Sequence, residues 1–513
     1  MTGPHPPLNS ETPAADPRAM RPARRLWVSI AALLVAAVLL VWAVPWWRAR
    51  RASAQIRTLA ILPFADLTQQ NQDWFAASFT GEIIDALGRV PGLQVVGRTS
   101  AFRVKGDAGR QLGVAAVLEG SISQTGGRLH IVLAMTRTSD GYHLWSANFD
   151  RPARDLLAAQ QSLAAAIAGR LQVRMPTLPP HRQQPSPQAS AAYLQGRYLL
   201  EQANPEALNH AEERLEEATR IDPNFVPAWA WLSIVREYRV AAGMARPNQA
   251  MPGSRDAAER AVALDPESGI AHLALGIVKL QYDWEWAGAK EELDRAVEAI
   301  PESALALEWR ARWYQTQGRM NEAISETSRA LALDPLSAAI SSDAAAQYVA
   351  LNQPERAVPF AQKAVDLNPD DAAAQAGLAN VLWLAGQQEK SRQIVEELRS
   401  TGAAAKLPAP VLASLEARMG QPADARQLLD QAEDLPDDQL LPAVAYAGLA
   451  GAIEDWDRFF SWTEEAYGER DVELPYWRGN PLAPKSDPRF DAFLAQMNLP
   501  APEAPINQVP EAR

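Results

Sequence analysis

Apolar residues follow three different patterns along the chain. From Leu26 to Trp47 they form a run of 22 uncharged residues, with Trp27, Trp42, Trp46 and Trp47 towards its ends and Arg48, Arg50 and Arg51 behind it. At ~1.5 Å per residue such a helix spans about 33 Å, enough for a hydrocarbon core of roughly 30 Å, and indoles favour the interface. The run predicts one transmembrane helix at 26–47. A cleaved signal peptide is disfavoured, because its apolar region is usually ~7–15 residues long.

From Ile56 to about Val173 the pattern alternates between strand and helix periods. Leu59-Ala60-Ile61-Leu62 before Pro63 predicts a buried strand, and Trp74, Phe75, Phe79, Ile83, Ile84 and Leu87 share one face of a helix that Pro91-Gly92 ends. A short strand follows at 93–96. Strands at 114–124 and 128–136 flank Gly126-Gly127, a two-residue hairpin signal, with another strand at 142–149 and a closing amphipathic helix at 153–171. The expected unit is α/β, over 56–173.

The third pattern is helical and periodic. An alanine followed five residues later by a proline occurs at Ala218/Pro223, Ala261/Pro266, Ala296/Pro301, Ala330/Pro335 and Ala364/Pro369, with proline spacings of 43, 35, 34 and 34. Two antiparallel helices need a small residue where they cross and a helix-stopper before the next pair. Gly276 and Ala311 mark the other close crossing, Ala289, Ala323 and Ala357 open the second helices, and Gly318 and Gly386 fall in turns. This is the tetratricopeptide period of 34 residues. Six repeats are predicted over 191–400, at roughly 192–223, 226–266, 269–301, 304–335, 338–369 and 372–400. Degenerate repeats and a cap follow over 401–499, where Ala425/Ala432 and Phe459/Ala466 keep the internal spacing. Extra residues around Gly243, Pro247, Pro252 and Gly253, and near Tyr282, Asp283 and Trp284, are expected in loops.

The 56–173 segment resembles the TolB-like amino-terminal domain found ahead of tetratricopeptide repeats in many bacterial proteins. The resemblance is carried by Ile61-Leu62-Pro63-Phe64, Pro91-Gly92-Leu93, Arg98-Thr99-Ser100, Leu112-Gly113-Val114, Leu118-Glu119-Gly120-Ser121 and Gly141 through Trp145. It continues through Gly196-Arg197-Tyr198, Tyr282-Asp283-Trp284 and Asp487-Pro488-Arg489-Phe490. The connection at 105–110 is shorter than is usual there, so a helix is expected to be trimmed. Some relatives add a winged helix or a nucleotide cyclase; neither is expected here, with 25 residues ahead of the apolar run and no other stretch unassigned. The fold class expected is multidomain: one transmembrane helix, an α/β TolB-like domain, then an all-α solenoid. Proline-rich residues 174–190 read as a stiff linker, and 1–25 and 500–513 as disordered tails.

Charge and chemistry narrow the function. Residues 1–57 hold eight arginines against Glu11 and Asp16, a balance of +6, which leaves −18 on the rest of a chain of net charge −12. Phosphate backbones would repel such a body, so no direct nucleic-acid binding is expected. Arg18, Arg21, Arg24 and Arg25 before the apolar run balance Arg48, Arg50, Arg51 and Arg57 after it, so arginine bias does not orient it. With no cysteine, thiolate metal sites and a cysteine nucleophile are excluded. The six histidines have no zinc spacing; His130 and His143, on adjacent strands, read as structural rather than as ligands. Gly106, Gly109 and Gly113 fit neither nucleotide fingerprint, and Glu119-Gly120-Ser121 lacks the last glycine of a nucleophile elbow. Glu212, Glu213, Glu216 and Glu217 read as a solvated helix face. No catalytic, metal or cofactor site is expected, and no cofactor.

What remains is recognition. First helices of such repeats line a concave groove that takes an extended peptide or a helix. Glu308, Arg312, Gln315, Asn380 and Trp383 are expected to point into it, with inter-repeat packing the alternative for Trp383. Only Arg312 is basic there, which disfavours a terminal-carboxylate ligand. The expectation is a non-enzymatic scaffold or adaptor in the bacterial inner membrane, single-pass, its large carboxy-terminal part periplasmic and resting for that topology on the resemblance alone. The alternative is a sensor that passes a signal to a cytoplasmic partner.

Overall fold

A computed structural model describes residues 56–67, 73–152, 156–175, 185–202, 204–434 and 441–499. The apolar run at 26–47, both tails and most of the proline-rich linker lie outside the described residues. Among those described, no helix is long and apolar enough to cross a membrane.

The amino-terminal unit is one sheet with helices packed beside it. Its strands are β1 (Thr58–Ile61), β2 (Ala65–Asp66), β3 (Gln94–Val95), β4 (Ala116–Thr125), β5 (Arg128–Arg137) and β6 (His143–Pro152). The order is β3-β1-β4-β5-β6, with β2 beside β4; β1 is parallel to β3 and β4, and β4, β5 and β6 form an antiparallel meander. The hairpin joining β4 to β5 closes at Gly126 and Gly127, with φ of 58° and 73°, a conformation glycine adopts without steric cost. Leu129, Ile131, Leu133 and Met135 are buried on one face of β5 while Val132 is exposed on the other. α1 (Asp73–Leu87) packs against α4 (Leu156–Arg170); α2 (Arg98–Arg103) and α3 (Ala108–Leu112), only five residues long, bridge β3 to β4, and α3 touches β1 and β4. His130 lies opposite Asp150 and His143 opposite Thr136, six residues apart in register along β5.

Eight antiparallel helix pairs follow among the described residues. They are α5 (Pro187–Leu200) with α6 (Pro205–Ile221), α7 (Val226–Ala241) with α8 (Pro247–Leu264), and α9 (Gly269–Val278) with α10 (Trp286–Ala299). Then come α11 (Ala304–Thr316) with α12 (Met320–Leu333), α13 (Ala338–Ala350) with α14 (Pro354–Leu367), and α15 (Ala372–Leu384) with α16 (Gln388–Ser400). The last are α17 (Ala409–Arg418) with α18 (Ala423–Glu433), and α19 (Ala443–Ala452) with α20 (Trp456–Glu469), before a 3-10 turn at Leu474–Gly479 and α21 (Pro488–Gln496). The first helix opens at Pro187, with Ser186 as its cap, inside the span read as linker.

The periodic residues do the work their chemistry allows. Ala218, Ala261, Ala296, Ala330 and Ala364 are each at most 1% exposed. The amide of the residue before each proline donates to the carbonyl of that alanine, as Asp334 does to Ala330 at 2.8 Å, and proline, lacking an N–H, ends the ladder. A Cβ on Gly276 would sit 2.8 Å from Cγ of Leu293, so α9 and α10 cross where only glycine fits.

Both insertions differ from the loops expected. The extra residues of the second repeat extend α8, which runs 18 residues with Pro247 in its first turn and Pro252 inside it, and only Gly243 (φ 67°) makes a turn. Pro247, at the first helical position, costs no intrahelical bond, whereas Pro252 cannot donate to the carbonyl four residues before it. The extra residue of the third repeat is absorbed as a π-helical turn at Lys279–Asp283, closed by Trp284 at φ 57°. Glu212 and Glu216 are not simply solvated either. Glu212 pairs with Arg236 at 2.7 Å and with Arg239, and Glu216 with Arg236 at 2.7 Å, tying α6 to α7.

The carboxy-terminal helices turn back onto the early repeats. Arg246 pairs with Glu469 at 2.6 Å, the Trp286 indole donates to the Met497 carbonyl at 2.8 Å, and Trp284 lies between the Tyr467 ring (5.2 Å) and the Arg470 guanidinium (4.6 Å). Substituting Gly276→Val should cost about 1–3 kcal/mol by overpacking. A denaturant melt should read that loss, with faster amide exchange concentrated in α9 and α10.

Candidate functional site

The Arg98-Thr99-Ser100 segment carries the contact between the sheet unit and the solenoid. Ser100 donates its amide to Asp334 Oδ1 at 2.7 Å and its hydroxyl to the same oxygen, while the Leu336 amide donates to Ser100 Oγ at 2.7 Å. Gly97 N donates to the Leu333 carbonyl at 2.8 Å, and a Cβ there would lie 2.6 Å from Cγ of Asp334. One repeat further on, Arg103 donates to Asn368 Oδ1 at 2.7 Å and to the Leu367 carbonyl at 3.2 Å. Two successive repeat junctions, Leu333-Asp334-Pro335 and Leu367-Asn368-Pro369, therefore hold one helix of the neighbouring unit.

A second set of contacts joins α1 to α5. Arg197, almost fully buried, pairs with Glu82 at 3.3 Å and Asp85 at 3.2 Å and lies 3.6 Å from the centroid of Trp231. Tyr193 donates to Glu82 at 3.0 Å, and Ser78 to the Leu194 carbonyl at 2.8 Å. Buried charges persist only when paired and hydrogen-bonded, and Arg197 meets that condition across the boundary between the units.

Between these contacts lies a cavity of about 480 Å³, walled on one side by α1 and α2 and on the other by the inner faces of α7, α11 and α13. Glu308 and Arg312, two of the residues expected to point inward, line it. Arg312 is held by Asp343 at 2.8 and 3.0 Å and by Glu308 at 3.5 Å, and its guanidinium lies 4.7 Å from the Trp309 ring centroid. Burial and the neighbouring Asp343 push the Glu308 carboxyl well up, against the pull of Arg312. Glu237, 1% exposed, accepts from Gln281 at 3.3 Å through one oxygen only, and burial pushes its carboxyl up to about 7.

Gln315 and Asn380 belong to a different place. They line a groove of about 550 Å³ along α13 and α15, floored by small residues such as Ala346, Ala350 and Gly377 and walled by Tyr476 and the Gly479–Leu482 turn. Asn380 also accepts from Arg418. Trp383 lines neither; it is half-buried under the Arg392 guanidinium, 5.7 Å from its centroid. The five residues thus divide between two sites and a packing position. Glu237, Trp309, Asp334 and Asp343 were not singled out from the sequence, although Asp334 sits in a conspicuous junction. Among the described residues no group of histidine, aspartate or glutamate is placed to hold a metal ion.

Two outcomes follow from this geometry. Asp334→Ala would strand the Ser100 amide and hydroxyl, a cost of about 1–3 kcal/mol. Amides of 97–103 should then exchange at least tenfold faster while α9 and α10 keep their protection. Glu237 and Asp471 are both pushed up to about 7, chiefly by burial. The folded chain keeps these protons where the unfolded chain has lost them, so stability is fullest below about pH 4 and falls until about pH 7, by about 3 kcal/mol for Glu237 and about 4 kcal/mol for Asp471. A melting series from pH 4 to 8 should show that fall, and Glu237→Gln with Asp471→Asn should flatten it.

Comparison with known proteins agrees with the repeat geometry. Residues 348–418 match the tetratricopeptide repeat family. A protein of Rhizobium meliloti (strain 1021) named "Putative adenylate cyclase 3" is 32% identical over 189 residues, 35% of this chain; the chain spans only 32% of that relative's length. Among solved structures, the human IFIT1 dimer with m7Gppp-AAAA has a TM-score of 0.43 at 14% identity, covering 61% of this chain and 79% of that one. A thermophilic tetratricopeptide protein of Thermus thermophilus has a TM-score of 0.33 at 18% identity, covering 38% of this chain and 99% of its own. The chain carries a tetratricopeptide solenoid behind a small amino-terminal sheet unit.

Proposed function

We propose that this chain is a non-enzymatic adaptor, anchored in a bacterial inner membrane through residues 26–47, whose solenoid holds other proteins on its periplasmic side. The observation that carries the reading is the groove along α13 and α15. Small side chains there leave backbone-deep space, and Gln315 and Asn380 supply side-chain amides at its edge. A surface of that chemistry suits an extended, uncharged peptide with small side chains. The sheet unit, which we assign as TolB-like on its strand order and motifs, leaves this groove to a partner because it docks at the 333–336 and 367–368 junctions instead.

A second reading, a sensor that signals across the membrane, draws on the likeness to a relative named as a cyclase. The two differ in what residues 1–20 do: a scaffold tolerates their deletion and a transmitter does not.

A Cβ on Gly377 meets nothing within 4 Å, so Gly377→Arg fills the groove without disturbing the helix pair. In-membrane crosslinking with mass spectrometry should lose the groove-dependent partner at least tenfold in this variant, with melting unchanged. An unaltered set of partners at unaltered yield would refute the adaptor reading. Protease added to spheroplasts should digest residues 57–499; if they survive while a periplasmic control is cut, the assigned topology is wrong.

A further inference from the structure

The two edges of the amino-terminal sheet end differently. β3 is only two residues long, and the Gly97 amide just beyond it donates to the Leu333 carbonyl at 2.8 Å, so the chain passes directly from that edge onto the solenoid. β6, at the opposite edge, is ten residues long and, among the described residues, pairs with β5 alone. Its outer backbone is guarded at the ends. Arg170 donates to the Leu144 carbonyl at 2.9 Å and Arg151 to the Asp150 carbonyl at 3.1 Å, which marks the even-numbered residues as those whose backbone faces away from β5. Alternation turns Ser146 and Asn148 the same way, and among the described residues their outward backbone groups have no hydrogen-bond partner.

Nothing in this middle stretch discourages pairing. From Leu144 to Phe149 there is neither a charge nor a proline, the residues with which free edges are usually blunted. The apolar layer is also unfinished there. Ile131, Leu133 and Met135 of β5 are at most 1% exposed, whereas Phe149, Ala147 and Trp145, opposite them on the same face, are half-buried.

We propose that β6 is a dimerisation strand, which pairs antiparallel with β6 of a second copy of this chain about a two-fold axis at Ala147. The strand is complementary to itself in this register. Ser146 of one copy faces Asn148 of the other, so the open backbone groups exchange both N–H···O bonds, and the axis repeats the exchange. Trp145 faces Phe149 across the narrower, non-hydrogen-bonded spacing, where aromatic pairs stabilise a sheet. The guarded residues Leu144 and Asp150 fall opposite each other, so Asp150, the only acidic residue of the strand, meets no second carboxylate. A slip by one residue sets open backbone groups against groups already used by β5, and a slip by two opposes Trp145 to Ala147 or Arg151. A foreign strand would find the same backbone, but not this symmetry of open centre, aromatic flanks and guarded ends. The pairing belongs to the sheet unit and does not depend on the adaptor reading.

The chain contains no cysteine, so an introduced one can form a disulfide only with its own copy in purified protein. In the proposed register the two Ala147 Cα atoms lie about 4.5 Å apart, inside the roughly 4.4–6.8 Å that a disulfide spans. Full-length Ala147→Cys in detergent, oxidised with copper phenanthroline, should give at least ten times more disulfide-linked dimer than Ala165→Cys, which lies exposed on α4. Ser146→Lys with Asn148→Lys sets like charges opposite each other at exposed positions. Analytical ultracentrifugation should show dimerisation weakened at least tenfold in that double variant, with melting unchanged. Asn148→Pro, which removes an N–H offered to the partner strand and keeps the bonds to β5, should do the same and serves if the double variant misfolds. Equal disulfide yield at 147 and 165, or a dimer no weaker in the folded lysine or proline variant, would overturn the assignment. So would a chain that is monomeric in detergent and whose Ala147→Cys variant crosslinks in membranes to a different protein alone, which would give the edge to a foreign strand.

Discussion

The carboxylate of Asp334 is the contact on which the docking of the sheet unit against the solenoid turns. It ends one repeat, as aspartate does before the proline of such junctions, and it also takes the amide and hydroxyl of Ser100 from a residue 234 positions away. A buried carboxylate is costly unless its oxygens are matched, so the docking that takes Asp334 out of water also supplies its donors, from Ser100. With Asp334 fixed, Gly97 must lack a side chain, α2 must lie along the junctions, and Arg103 reaches the next one at Asn368. The cavity above Glu308 and Trp309 exists because this docking roofs it.

Ring closure follows the same logic at the other end. The π turn at Lys279–Asp283 ends at Trp284 in a left-handed conformation, and Tyr467 and Arg470 pack on its buried ring. Asp283 accepts from Arg255, and its carbonyl from Arg470 at 3.3 Å. A one-residue insertion, a defect by the standard of the 34-residue period, becomes the place where the last helix pair is held. Asp487 then caps α21, Pro488 opens it, and Phe490 is buried 6.4 Å from Phe459, which holds this last helix of the described residues.

The inner surface is divided as a consequence. One stretch is roofed by the sheet unit and carries buried carboxylates, aromatic rings and the paired arginines Arg197 and Arg312. The other, along α13 and α15, is shaped by alanine and glycine and walled by the 476–482 turn. Sequence reasoning placed Glu308, Arg312, Gln315 and Asn380 together on one inner face. Helical spacing tells which side of a helix a residue occupies, but not what will be brought against that side, and so it could not separate the two sites. Trp383 illustrates the converse, since its ring is covered by Arg392 of its own repeat.

Local chemistry alone fixed much of this protein. The alanine-proline period set the helix pairs from α5 to α16, because small residues and helix-stoppers act within a few residues of where they stand. The hairpin at Gly126-Gly127 and the buried face of α1 were legible for the same reason. Tertiary structure decided what periodicity cannot carry: that α8 absorbs an insertion read as a loop, that Glu212 bridges two helices, and that Arg98-Thr99-Ser100 is a docking element. Those outcomes depend on groups separated by tens to hundreds of residues, such as Arg197 with Glu82 and Ser100 with Asp334, whose encounter is set by burial and hydrogen-bond matching across the fold, not by any pattern along the chain.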